Sequence, residues 1–148
     1  MEKDTTGRLL ETLRSADIAD VDRLEAAYVP GGPLTFAGYM DALLREKKLK
    51  RQDVFQKADL PQKYGYKLLS GESHTTDRDK LLRVFLAMGL TLRETQRALA
   101  LYGLPALYPR FRRDAALIIA FNTGVSSVDT VNEWLAQLGE PELSPSGE

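Results

Sequence analysis

The chain has 148 residues, 43% of them hydrophobic and 28% charged, which suits an ordinary globular core and excludes wholesale disorder. It has no cysteine, so disulfide stapling, thiolate catalysis and thiolate-held zinc are excluded together. The net charge of −1 hides an uneven layout: residues 1–33 carry −3, residues 34–90 carry +4 and residues 91–148 carry −2, a basic middle of the kind that contacts nucleic acid.

Alternating β-branched runs are absent and helical periodicity recurs throughout, which predicts an all-α fold. Behind Met1 no apolar run follows, and the longest apolar stretch, Ala115–Phe121, is seven residues. Neither a signal peptide nor a membrane span is expected, and a cytoplasmic protein follows as the default. Two N-terminal helices are predicted: Thr6–Leu13, with Leu9, Leu10 and Leu13 on one face, and Asp17–Tyr28, lined by Ile18, Val21 and Leu24. Pro30-Gly31-Gly32-Pro33 then breaks the chain.

Thr35 caps a predicted helix to about Lys47 with Phe36, Tyr39, Met40, Leu43 and Leu44 as its apolar stripe. A helix over Arg51–Ala58 follows, then one opened by Pro61 in its first turn and closed at Ser70-Gly71. Asp77 or Thr76 starts the next, to Met88. Thr91 with Glu94 has capping-box spacing and opens a helix to Tyr102. The last two run from about Phe111 to Asn122 and from Ser126 or Ser127 to Leu138. The expected organisation is an N-terminal helical extension (1–33), a basic middle domain (34–90), a C-terminal helical region (91–140) and a flexible tail (141–148).

The region behind the middle domain echoes itself at 35 residues. Arg78-Asp79 falls on Arg113-Asp114, Leu82 on Leu117, Gly89 on Gly124 and Thr91 on Ser126. With one further residue in the second copy, Gly103-Leu104-Pro105 meets Gly139-Glu140-Pro141. Two similar helical hairpins stacked side by side are predicted; neither buries its apolar face alone. Such a pair serves as a dimer surface, binds a partner or completes the core.

Residues Leu49–Gly71, LKRQDVFQKADLPQKYGYKLLSG, resemble the helix-turn-helix of Cro/C1-type (XRE-class) regulators. That family begins its motif Leu-Ser-x-Glu-x-Leu-Ala and ends it in Gly. Here Leu49, Val54 and Leu60 match its apolar anchors, Gln52 falls near the start of the first helix, and Gly71 closes the second. The likeness extends over Thr35–Leu90. Tyr64-Gly65-Tyr66, Arg78-Asp79-Lys80 and Leu107-Tyr108-Pro109-Arg110 are also similar to segments of one group of bacterial regulators in that class. Three positions depart from the pattern. Asp59 replaces the usual turn glycine, Phe55 stands where a small Ala is common, and Gly65 where Ile or Val is buried. A large-for-small exchange beside a small-for-large one conserves core volume, which predicts that Phe55 and Gly65 touch.

The resemblance implies a repressor-like fold and sequence-specific binding of double-stranded DNA by a transcriptional repressor. The helix over 61–69 would enter the major groove. Base contacts would come from Gln62, Lys63, Tyr66 and Lys67, and phosphate contacts from Lys50, Arg51 and Gln52. Lys47, Lys48 and His74 are rim candidates. One module reads a short half-site, so a homodimer on a palindrome is expected, with Val131, Trp134 and Leu138 as its surface. Each of these has a plainer reading. Gln62, Lys63 and Lys67 suit any solvated face, Tyr64 a core position, and Trp134 the closure of the monomer core. Arg110, Arg112 and Arg113 suit either phosphate or ion pairs.

An enzyme is not expected. His74 has no partner spacing for a triad, no glycine pattern matches a phosphate or dinucleotide loop, and neither metal nor cofactor is called for. The rival is a protein-interaction module on the same scaffold, binding a partner protein.

Overall fold

The structure of the protein, a computed structural model, describes residues 34–145. The expected helices Thr6–Leu13 and Asp17–Tyr28 and the Pro30–Pro33 break lie outside these residues. The described part is all-α, with seven helices and no strand: α1 Phe36–Glu46, α2 Arg51–Ala58, α3 Gln62–Ser70, α4 Arg78–Met88, α5 Leu92–Tyr102, α6 Arg112–Thr123 and α7 Val128–Gln137. None is long and apolar enough to cross a membrane.

Short-range chemistry sets most of these boundaries. Thr35, Asp77, Thr91 and Ser127 each accept a backbone N–H from the first turn, and Thr91 with Glu94 forms a reciprocal capping box. Between α2 and α3 the chain turns through Asp59 at φ 56°, ψ 50°, a left-handed conformation that Asp tolerates better than most side chains. Pro61 stands one residue before α3 as its N-cap rather than inside its first turn.

Helix α4 is the axle. Every residue from Lys80 to Met88 is buried, because α2, α5 and α7 all pack against it; a helix apolar nearly all round belongs in a core. The remaining packing pairs α1 with α3 and α5, α2 with α3, α5 with α6, and α6 with α7. One continuous core results, running from Phe36 to Leu143 without a break at residue 90.

Two cations lie within that core, besides the buried carboxylate of Asp114. Arg83, 6% exposed, donates to Ala58 O (3.1 Å), Ser144 O (2.7 Å) and Leu143 O (3.5 Å). Lys80 donates to Pro145 O. Buried cations need such partners, since an unpaired one is costly to desolvate.

These bonds correct the expected flexible tail over residues 141–145; residues 146–148 lie outside the described residues. Leu143 is 3% exposed, Ser144 N donates to Asp79 Oδ2 (3.0 Å), and Ser144 Oγ to Asp77 Oδ2 (2.5 Å). Residues 141–145 form a strap bound across α4 and the start of α6. Mostly backbone carbonyls and amides fix it, and nearly every residue has both, so composition gave no sign of it.

Candidate nucleic-acid interface

Helix α3 buries Tyr64, Gly65, Leu68 and Leu69. At about 100° per residue, the opposite arc holds Gln62, Lys63, Tyr66 and Ser70, all exposed, with Lys67 half-buried at its margin beside the Tyr64 side. Tyr64 is thus a core residue at 8% exposure, and Tyr66 a surface residue at 42%.

Gly65 and Phe55 do meet. A Cβ built on Gly65 would lie 2.5 Å from Phe55 Cδ1, inside any real contact distance. The Phe55 ring, fully buried, therefore occupies the space a side chain at 65 would need. Its edge also meets Tyr66, with ring centroids 5.2 Å apart at 73°, a favoured T-shaped pairing. Phe55 thereby braces the aromatic ring that α3 presents outward.

Beside α3 lies the start of α2. Its N-cap, Lys50, makes no side-chain cap bond, and Asp53 is the acidic residue of its first turn, so an anion at the helix start meets the positive dipole end and that carboxylate together. Lys50 and Gln52 are exposed. Arg51 is half-buried and ion-paired with Asp41 of α1, which anchors one end of its guanidinium. An open groove of about 510 Å³ runs between α2 and α3, lined by Gln52, Asp53, Phe55, Gln56, Asp59, Leu60 and Gln62. Sequence reading missed this groove, because it depends on how α2 and α3 pack across the turn at Asp59 and Leu60.

The rim candidates separate. Lys47 is ion-paired with Glu94 at 3.1 Å and ties α1 to α5. Lys48 is exposed. His74 stacks on Tyr102 with ring centroids 4.4 Å apart and its Nε2 lies 3.4 Å from Tyr102 O, so it belongs to the α5 end of the molecule. Lys57, not singled out from the sequence, donates to Ser126 Oγ at 3.0 Å.

The arginine cluster divides too. Arg110 and Arg112 are exposed, whereas both Nη atoms of Arg113 bond Asp79, at 3.0 and 2.8 Å. The expected dimer surface needs correction at one residue: Val131 is fully buried within the protein's own core and offers nothing to a second chain. Trp134 and Leu138 are partly buried and pack against that core. Among the described residues no group of His, Asp and Glu is placed to hold a metal ion.

The first helix pair thus assembles two amides and two ammonium groups (Gln62, Lys63, Lys67, Gln52), a braced tyrosine and an uncapped helix start on neighbouring surfaces. Comparison with protein-family models, with curated proteins and with solved structures finds no match, so the purpose of this surface has to be read from its own residues.

Proposed function

We propose that this protein binds double-stranded DNA sequence-specifically, as a repressor-like helix-turn-helix regulator with α3 in the major groove. The observation that carries this reading is the open arc of α3. Gln62, Lys63 and Tyr66 are exposed there, no described helix covers them, and α2 starts next to them without a side-chain cap. A Gln amide matches the N6/N7 pair of adenine, and a Lys ammonium the O6/N7 acceptors of guanine. Tyr66, held against Phe55, packs on a thymine methyl or donates to phosphate. Lys50 and the first amides of α2 bind the backbone and set the register. Arg51 keeps donors for phosphate beyond those its pairing with Asp41 uses. The turn at Asp59 and the resemblance of Leu49–Gly71 to Cro/C1-type regulators support the same reading.

One observation favours a second reading, a protein-interaction module. The α2–α3 groove sets Phe55 and Leu60 among the carboxylates of Asp53 and Asp59, and carboxylates repel phosphate. Selection from a random DNA pool with purified protein, repeated with Lys63→Ala and Lys67→Ala, separates the two. DNA binding predicts an enriched motif that the variants lose and an affinity that falls steeply with salt. Folded protein that enriches nothing at low salt refutes it.

A further inference from the structure

Residues 77–108 and 111–144 exchange the same set of bonds. Arg78 donates to Pro105 O and Ala106 O, at 3.2 Å each, where its own helix pair ends, and reaches Asp114 Oδ1 at 2.6 Å. Arg113, 35 residues later, donates to Pro141 O (2.8 Å) and Glu142 O (3.1 Å), where its own pair ends, and reaches back to Asp79. Asp114 accepts Tyr108 N at 2.9 Å, and Asp79 accepts Ser144 N at 3.0 Å. Gln96 Oε1 accepts Leu107 N and Asn132 Oδ1 accepts Leu143 N, both at 2.8 Å. Leu107 and Leu143 are each 3% exposed.

The helices follow suit, α4 touching α7 while α5 touches α6. The caps correct the register of the echo. Thr91 corresponds to Ser127, the observed N-cap, not to Ser126, so the added residue of the second copy lies in the Gly124–Ser127 turn and Thr95 corresponds to Val131.

Contacts that run from i to j and return from the equivalent of i to the equivalent of j mark a two-fold relation; a head-to-tail stack would make them in one direction only. We propose that residues 111–144 are a built-in partner for residues 77–108. The two units meet as the halves of an isologous dimer do, inside one chain, and the protein engages DNA as a single copy on a site without two-fold symmetry. The last clause rests on the DNA-binding reading above.

The face of α4–α5 that another copy would use is already occupied. Apart from Tyr66, the large apolar side chains exposed among the described residues are Tyr108, Phe111 and Ile119, at 46%, 62% and 54%. Together they offer roughly 300 Å², short of the ~450 Å² that is the apolar share of a standard interface's ~800 Å² per partner. Helices α1–α3 precede the first unit and have no counterpart before the second, so the internal pair carries one reading helix.

Sedimentation of the full chain across the micromolar range, DNA stoichiometry and random-pool selection test this. The expected results are the mass of one chain, one protein per duplex and a motif lacking an inverted repeat. A two-chain mass or an inverted-repeat motif overturns the proposal. If no motif emerges, the DNA reading fails and the mass alone decides the built-in partner. Asp79→Arg sets two cations against each other and should lower the melting temperature. Adding Arg113→Asp should restore part of the loss with the mass unchanged, and no recovery counts against the reciprocal pairing.

Discussion

Gly65→Ala is expected to destabilise the protein, although alanine is the better helix former. In a helix the exchange alone gains ~1 kcal/mol. Here the new Cβ would sit 2.5 Å from the Phe55 ring, and that ring is fully buried among core neighbours. Overpacking of a filled core costs about 1–3 kcal/mol, and so severe an overlap belongs in the upper part of that range. The net expectation is a loss of ~1–2 kcal/mol. Phe55→Ala alone should cost about 3–5 kcal/mol, but it empties the space beside residue 65. In that background Gly65→Ala should stabilise by ~1 kcal/mol, giving a coupling of about 2–3 kcal/mol in the double-mutant cycle. Urea unfolding followed by circular dichroism measures all four proteins, with unchanged m-values as the check that stability alone has moved. The same effect of Gly65→Ala in both backgrounds, or a stabilised single variant, would refute the argument.

Other expectations follow from single contacts. Thr95 is fully buried and its hydroxyl has no hydrogen-bond partner among the described residues, while its counterpart in the second unit is Val131; Thr95→Val should raise stability by about 1–2 kcal/mol in the same urea assay. Leu143→Ala should cost about 2–5 kcal/mol if the strap is part of the core, and a neutral result would mean that it is not. Burial raises the Tyr102 phenol above 10.0, Tyr64 adds to this, and the Thr75 amide that donates to it works the other way. Its contribution to stability is therefore complete below pH 10 and lost as pH rises through the folded-state value; Tyr102→Phe should flatten the alkaline fall of an unfolding titration. Lys50→Ala should reduce the slope of log affinity against log salt by about 0.9 on every DNA sequence alike.

How much of this was legible in the sequence depends on the reach of each interaction. The caps at Thr35, Asp77 and Thr91 lie within three residues of the amides they satisfy, and the helix limits are readable to within a residue or two. Phe55 and Gly65 were readable as a pair because each departed from an apolar pattern in a compensating direction. The α3 arc was readable for the same reason as the caps, since one helix fixes which side chains share a face. Bonds across 28 to 65 residues were not. Nothing in the composition of residues 141–145 announces that their carbonyls bind Arg83, Lys80 and Arg113. Choosing Arg113 over Arg110 and Arg112 required knowing that Asp79 lies opposite. Ser126 and Ser127 are equally good caps on paper, so the register of the repeat was ambiguous by one residue, and with it the burial of Val131.

The strap has a kinetic consequence. Arg83 gathers the carbonyls of Ala58, Leu143 and Ser144, so its guanidinium can shed water only after α6 and α7 have brought the end of the chain back to α4. Closing so long a loop is entropically costly and is rewarded late. Until then the charge stays hydrated beside a half-built core. Loosening the strap should consequently speed unfolding far more than it slows folding, which makes residues 143–145 a latch on the lifetime of the native state.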